Sequence, residues 1–544
     1  MSLNSFLIIF HNTAINQTAK LPIVNFECYE RIGNFEVYSN QKFQKYDNKF
    51  IAVIGKIRSN HKPAPELALE LLATPLTSKN KFRTGQFLII SIDPSNNSIE
   101  VMNDYLGCFP IYFYNDNQRL ILSDQIRHFR AVPDLTLTLN RTKAVEYLVT
   151  NFISSNTTLI SEIAPLPAGH KLDFSNSILS ISPYCDLKDL PLELSQSPNL
   201  IKQFRELLIA VVRDYARESC AFEFSGGLDS SAIITAASIA GINRPATFSI
   251  RYPGLVADES TYRTALASMI SLDQHEIDFK EYTLQQYTAL ADKLLYFPDY
   301  PNSSQSLRLL EQAQSLNFNS VLTGFGGDHL FAAGKLERST NFRNYLPRRY
   351  RQTLKFKRYL PWLSTKTENL VLEQLSDFKQ EFNKLRGLPH QRAILWQINH
   401  ANTSEFLRAG QNLAALFNIQ KFHPLFDFEL LQLTLSLPEE LLIKNQETKL
   451  ILRSALSEFW PSKIGERQDK AEFTETFLKT LSTPGFAEIL NSALERFQDL
   501  INVDLIRESF GRLPRYGCSQ MPFVIWNLVG LEIFCRALEA RTRT

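Results

Sequence analysis

The sequence predicts a two-part α/β protein: an antiparallel, β-rich first half, then a larger half built on a parallel sheet and ending in helices. Three observations carry this. Short apolar runs fill residues 1 to about 180, a proline-rich stretch at 182–198 breaks the pattern, and helical and strand-like segments alternate after residue 199. At 544 residues the chain is too long for one ordinary domain of about 100–200 residues.

In the first half the strand candidates are FLIIF (6–10), KFIAVIGKI (49–57), QFLIISID (86–93), PIYFYN (110–115) and RLILSD (119–124). Turn formers separate them, among them Asp93-Pro94-Ser95-Asn96-Asn97 and Asn115-Asp116-Asn117, so neighbouring strands pair antiparallel. The polar stretch SPYCDLKDLPLELSQSP, with Pro183, Pro191 and Pro198, reads as the linker. Next comes the helical pattern NLIKQFRELLIAVVRDYARE, then the strand SCAFEF, the loop SGGLDSS and an apolar helix that stops at Gly241. ATFSIRY and SVLTGF supply further strands, and the remainder is mainly helical, interrupted by HPLFD at 423–427.

Composition narrows the class. Lys plus Arg number 58 against 56 Asp plus Glu, a net charge of +2, which gives no whole-molecule reason to expect nucleic acid or an anionic membrane as partner. Hydrophobic residues make up 44% and include 39 Phe, enough for substantial cores and incompatible with a mainly disordered chain. Cys28, Cys108, Cys185, Cys220, Cys518 and Cys535 are scattered, with no C-x-x-C pair, so a reducing, cytoplasmic setting is expected. No run approaches 18 consecutive apolar residues, so no transmembrane segment is expected.

The segment richest in chemistry is Phe224-Ser225-Gly226-Gly227-Leu228-Asp229-Ser230-Ser231, between a strand and a helix. The glycines let backbone amides approach a phosphate, and the helix behind them presents unpaired N–H groups and the positive end of its dipole. Ser225, Ser230 and Ser231 offer hydroxyl donors, and Asp229, an acid in an anion-binding loop, makes sense if Mg²⁺ bridges it to the phosphates. No G-x-x-x-x-G-K-[ST] is present, which excludes a Walker-type site. A second glycine-rich loop, Gly324-Phe325-Gly326-Gly327-Asp328-His329, again follows a strand and brings a second carboxylate. By itself it also fits a helix-capping turn.

The first octapeptide resembles the pyrophosphate loop of the N-type ATP pyrophosphatases, which implies cleavage of ATP between the α and β phosphates and an acyl-adenylate. The two loops together resemble the asparagine synthetase superfamily. Further positions match it in order: Asp258-Glu259 ahead of a helix, His275-Glu276 at its end, Asp299 and Pro301, His423-Pro424-Leu425-Phe426-Asp427, Lys449 through Arg453, Trp460-Pro461, and Arg467-Gln468-Asp469-Lys470. The resemblance implies ATP and Mg²⁺ as cofactors, with Asp229 and Asp328 on the metal. It also implies Ser225, Gly226, Gly227, Asp229, Ser230, Ser231, Ile250 and Gly324 around the nucleotide, and Lys449 on the phosphates. Lys449 and Arg453, four apart, are expected on one helix face.

The first half resembles the superfamily's glutaminase domain at Gly85-Gln86-Phe87, Asp104 through Phe113, Ser123-Asp124 and Leu166 through His170. The fold this implies is an α+β Ntn-like sandwich over 1–185, followed over 199–544 by an α/β adenine-nucleotide α-hydrolase-like (PP-loop) synthetase domain with a helical C-terminal part. A glutaminase needs a terminal cysteine thiol, and Ser2 followed by Leu3-Asn4 stands there, so the first domain reads as a degenerate class II glutaminase-like domain.

Members without that cysteine use an amine of the substrate. Asp328-His329 resembles the G-G-D-H-x-F of the lasso peptide cyclases. Phe325 stands where β-lactam synthetases place a tyrosine and asparagine synthetases a glutamate. The function so implied is adenylation of an Asp or Glu side chain of a ribosomal core peptide and ring closure by the peptide's amine to a macrolactam. A leader peptidase and a leader-binding protein are the implied partners. The alternative is a small-molecule amide ligase, β-lactam-synthetase-like or ammonia-dependent. His329 is a candidate base at neutral pH, or simply a hydrogen-bonding group beside the metal.

Overall fold

The computed structural model describes the chain apart from residues 1–4, 12–25, 59–62, 74–83, 298–302, 333–360, most of 365–383, 470–472, 513–520, 541–544 and a few single or paired positions.

The first half forms two six-stranded antiparallel sheets. Its strands are β1 (Phe6–His11), β2 (Cys28–Ile32), β3 (Phe35–Ser39), β4 (Gln44–Tyr46), β5 (Lys49–Ile57), β6 (Gly85–Asp93), β7 (Ser98–Asn103), β8 (Tyr112–Asn115), β9 (Arg119–Ser123), β10 (Ala164–Pro165), β11 (His170–Ser175) and β12 (Ile178–Pro183). One sheet runs β10-β8-β9-β1-β3-β2 and the other β12-β11-β7-β6-β5-β4. Every strand candidate in this half lies in or overlaps one of these strands.

The run FLIIF is continuous because β1 is buried on both sides. Phe6, Ile8 and Phe10 join the core between the two sheets, whereas Leu7 and Ile9 belong to a second buried cluster that includes Phe129, Val145 and Leu148 and extends into the carboxy-terminal helices. Among the described residues of this half, two α-helices lie outside the strand pattern, α1 (Ala64–Ala73) and α2 (Arg141–Thr150).

The proline-rich stretch expected as the linker packs against the second half. Leu187 and Leu190 are buried in the main core, the Ser195 amide donates to the Ser436 carbonyl at 2.9 Å, and Gln391 donates to the Leu192 carbonyl at 2.8 Å. The leucines between the prolines strap the stretch onto the second half.

That half begins with α3 (Leu200–Tyr215) and continues through β13 (Cys220–Glu223), α4 (Leu228–Ile239), β14 (Ala246–Arg251), α5 (Ser260–Ala267), β15 (Asp273–Asp278), α6 (Leu284–Leu294), α7 (Ser303–Ser315), β16 (Ser320–Leu322), α8 (Gly327–Phe331) and β17 (Gln420–Phe422). The five strands pair parallel in the order β15-β14-β13-β16-β17. Chain order therefore reverses between β13 and β16.

Helices cover the sheet and fill the carboxy-terminal part. The helix Met521–Glu539 is, against expectation, long and apolar enough to cross a membrane by length and composition. Its residues are mostly buried within the protein, and its Glu532 pairs with Arg496 at 2.6 Å and Arg536 at 2.7 Å, which marks it as a core helix here.

Candidate functional site

Loops leaving adjacent parallel strands on either side of an order reversal diverge, and the crevice between them is the usual ligand site of such sheets. Both glycine-rich motifs stand there, one after β13 and one after β16. The first loop is tied to the neighbouring strand by the Phe224 amide on the Phe248 carbonyl (2.8 Å) and the Ser249 hydroxyl on the Phe224 carbonyl (2.6 Å). Gly226 has φ +100°, open to glycine and costly to other residues. Gly227 then caps α4, whose first-turn amides have no partner within the helix.

The three loop serines divide in role. Ser225 Oγ accepts from the Gly227 amide at 3.0 Å and lies 3.1 Å from Ser230 Oγ, which donates to the Gly227 carbonyl at 3.1 Å. These bonds preform the turn. Ser231 is fully buried, and its hydroxyl has no protein partner.

The second loop presses against the first. A Cβ on Gly324 would sit 2.5 Å from the Ser230 amide nitrogen, and one on Gly327 would overlap the Asp229 carboxylate. Gly324 is thus needed for loop-to-loop approach, and Ile250 is buried near the end of β14 in a small cluster with Tyr252 and Ala257. Gly326, with φ +115°, opens α8, whose second residue is Asp328.

Asp229 and Asp328 converge on Lys449. Its Nζ lies 2.6 Å from Asp229 Oδ2 and 2.7 Å from Asp328 Oδ1. Burial opposes the ammonium charge, but the two carboxylates outweigh it and hold the Lys449 pKa above its ordinary value. The expected helical pairing of Lys449 with Arg453 does not occur. Lys449 is left-handed (φ +62°) and precedes the helix Leu450–Leu456, its amide donating to the Phe331 carbonyl at 3.1 Å. Arg453 turns away and binds the carbonyls of Thr448 (3.0 Å) and Arg467 (2.6 Å).

Two buried arginines fasten the first loop from behind. Arg263 reaches the Ser225 carbonyl (3.2 Å) and Glu276 (2.9 Å), with Asp258 at 3.7 Å. Arg467 donates to the Gly226 carbonyl (2.9 Å), pairs with Glu259 (2.5 Å) and lies 3.9 Å over the Tyr262 ring. This explains the acidic residues that the motif order picked out. His275 and Glu276 lie within β15, not at a helix end, and the His275 ring stacks on Phe248 at 4.8 Å. Arg263 was not legible from sequence because an arginine inside a polar helix reads as solvent-facing. Arg467 was visible as a motif residue but without a role. Asp299, Pro301 and Lys470 lie outside the described residues.

The far wall is aromatic. Phe325 stacks on the partly exposed Phe406 at 4.3 Å, and His329 lies edge-on to Phe325 (5.1 Å) and Phe426 (5.2 Å). Phe325, between the two glycines, offers no proton-accepting atom.

The residues present fit Mg²⁺–ATP. An orphaned buried hydroxyl, a helix amino terminus and glycines without room for a Cβ suit phosphate, and two carboxylates suit a cation. Among the described residues no cluster of three or more His, Cys, Asp or Glu gathers, in keeping with an ion that takes its other ligands from phosphates and water.

In the first half, Ser2 lies outside the described residues. Asp104 accepts from the amides of Phe87 (3.0 Å), Leu106 (2.9 Å) and Cys108 (3.1 Å), and burial pushes its pKa up to about 6. Asp124 accepts from the Phe6 amide (2.9 Å) and the Ser5 hydroxyl (3.1 Å) beside His128. Burial raises Asp124 to about 7 and lowers His128 to about 3.

Comparison with known proteins gives two family matches: "Asparagine synthase" over residues 203–534 and "Glutamine amidotransferase domain" over residues 76–185. A protein of Methanocaldococcus jannaschii named as a candidate glutamine-hydrolysing asparagine synthetase is 28% identical over 259 residues, 45% of this chain and 49% of the relative. The microcin J25-processing protein McjC of Escherichia coli is 26% identical over 309 residues, 54% of this chain and 56% of the relative. The chain thus spans about half the length of the curated relatives it matches. A solved allosteric regulatory enzyme of purine biosynthesis aligns over 57% of this chain and 82% of its own, at 9% identity and a TM-score of 0.21.

Proposed function

The chain belongs to the asparagine synthase family, and from that premise we propose that it is an ATP-dependent, AMP-forming carbon–nitrogen ligase that closes a macrolactam ring in a peptide. In this chain the glutamine amidotransferase match precedes the asparagine synthase match. The observation that carries the peptide reading is the amine-side wall: Phe325, stacked on Phe406 beside Asp328, replaces an ionisable side chain with an apolar one.

In this reading ATP lies across the loop 225–231, and Asp229 and Asp328 hold Mg²⁺, which neutralises phosphate charge. A side-chain carboxylate oxygen of the peptide attacks the α-phosphorus and pyrophosphate leaves. The peptide's α-amine then attacks the acyl carbon and AMP departs with the bridging oxygen. Lys449 stabilises charge in both steps. An α-amine has an ordinary pKa of about 7.7–8.0, so a neutral fraction is present near pH 7 without a dedicated base. In this reading His329, whose ring lies edge-on to Phe325, takes the amine's proton. The aromatic wall favours a reactant with an apolar body, and the match to a microcin J25-processing protein agrees with it. A ribosomal core peptide, a leader peptidase and a leader-binding protein are the corresponding partners.

The test is incubation with ATP, Mg²⁺ and a leader-free core peptide, followed by mass spectrometry. One AMP and the loss of one water per peptide are expected. AMP formed only with aspartate and ammonia, or with a free β-amino acid, would replace this reading by the small-molecule ligase.

A further inference from the structure

Three side chains of the amino-terminal domain converge on the segment from His423 to Asp427. Gln86, in β6, makes a paired amide contact with His423: its Nε2 donates to the His423 carbonyl at 2.8 Å, and the His423 amide donates to its Oε1 at 3.0 Å. Tyr105 donates its hydroxyl to the Phe426 carbonyl at 2.6 Å, and its ring meets Phe428 edge-on at 5.2 Å. Arg58, just past β5, reaches Asp427 at 2.6 Å, with Asp214 and Glu429 each at 3.0 Å, and Asp427 is fully buried.

The clamped segment is weak on its own. It is a single 3-10 turn, Pro424–Phe426, and such short turns have poor hydrogen-bond geometry. It is also what the second ATP-site loop rests on. Thr323 Oγ1, at the root of that loop, lies 2.7 Å from His423 Nδ1. The Phe426 ring lies 5.4 Å from Phe325 and 5.2 Å from His329. Gly326 is so close that a Cβ there would stand 3.2 Å from Phe426 Cγ.

We propose that Arg58, Gln86 and Tyr105 are positioning residues of the ATP site: through His423–Asp427 the amino-terminal domain fixes the backbone of 324–329 and so sets Asp328 opposite Asp229. This gives that domain a task in the synthetase chemistry that needs no glutamine hydrolysis. It holds for any carboxylate and amine, so its test uses Mg²⁺–ATP alone and is unaffected if the peptide reading fails.

The double variant Gln86→Leu/Tyr105→Phe removes three hydrogen bonds to the segment and touches no residue of the ATP site. Backbone hydrogen exchange and Mg²⁺–ATP binding are measured on the full chain. Amides 324–331 are expected to exchange about tenfold faster and the Kd for Mg²⁺–ATP to rise about tenfold, since lost hydrogen bonds of this kind act on that scale. Gln86→Leu alone, which keeps the Tyr105 hydroxyl on the Phe426 carbonyl, is expected to show only part of both effects. Tyr105→Phe alone, which deletes one hydroxyl, gives a smaller shift in the same direction and covers the case of a double variant that does not fold. Faster exchange confined to 423–427, with 324–331 and the Kd unchanged, would overturn the proposal and leave these residues as domain glue. Unchanged exchange everywhere would overturn it too.

Discussion

Lys449→Met deletes an ammonium shared by two carboxylates while keeping most of the side-chain volume. Its Nζ stands 2.6 Å from Asp229 and 2.7 Å from Asp328, so at an effective dielectric of about 20 each attraction is about 6 kcal/mol gross. Burial of the ammonium opposes this, and Asp328, half exposed, is screened by water. The net loss is therefore closer to that of one charged hydrogen bond, about 2 kcal/mol, or a Tm lower by about 4 °C. Mg²⁺ at millimolar concentration is expected to raise the variant's Tm more than the wild type's, because the ion takes the place of the lost charge.

AMP formation should fall about 10²- to 10³-fold in kcat, the usual effect of removing one donor to developing charge. The sign with pH is fixed: a lysine pKa raised on folding stabilises fully below its unfolded value near 10.5 and loses that stability only as pH rises through the folded value, so the Lys449 contribution is flat between pH 6 and 9. The assays are scanning calorimetry with and without Mg²⁺ and AMP release by chromatography. Wild-type Tm with no added Mg²⁺ response, or AMP formation within about threefold of wild type, would refute the placement of Lys449 between metal ligands and phosphate.

Gly327→Ala is expected to push the Asp229 carboxylate aside and abolish Mg²⁺–ATP binding by calorimetry with the fold intact by circular dichroism, because the added Cβ would overlap that carboxylate. Arg467→Gln loses the ion pair to Glu259, so KM for ATP should rise about tenfold with kcat less affected, and Arg467→Lys should recover part of it. Asp124→Asn tests burial in the first domain. The Asp124 carboxyl is raised from 3.8 to about 7, so wild-type stability from this group falls as pH climbs through that range. His128, lowered to about 3, acts oppositely and loses stability as pH drops below 6.5. The Tm difference, variant minus wild type, should therefore become more positive from pH 4 to 7, and a pH-independent difference would contradict the burial argument.

The sequence revealed the two loops because their chemistry leaves glycines no alternative: Gly324 and Gly327 stand where a Cβ would strike the other loop, and Gly226 and Gly326 have positive φ. Strands such as FLIIF were legible from their apolar runs, although burial of β1 on both faces, by β-sheet on one side and helices on the other, was not. Lys449 was read from the motif as a phosphate-binding residue, but its ion pairs with Asp229 and Asp328 carried no sequence signal, and its expected helical pairing with Arg453 failed because spacing alone cannot show that a residue lies in the left-handed region before a helix. The packing of the proline-rich stretch was not legible, because prolines and polar residues surround Leu187 and Leu190, whose burial depends on the second half. Arg58 and Arg263 carried no signal, since an arginine becomes a buried clamp only when distant carboxylates, here Asp427 and Glu276, are brought to it.

The central claim is that the substrate carboxylate attacks the α-phosphorus of ATP, expelling pyrophosphate, and not the γ-phosphorus, which would expel ADP. It is tested most directly with a core peptide whose acceptor side-chain carboxylate carries heavy-isotope oxygen, followed by mass analysis of the nucleotide released on ring closure. Attack on the α-phosphorus moves one heavy oxygen into AMP and leaves pyrophosphate unlabelled, which is the expected result. Unlabelled AMP, or ADP with labelled inorganic phosphate, would contradict it.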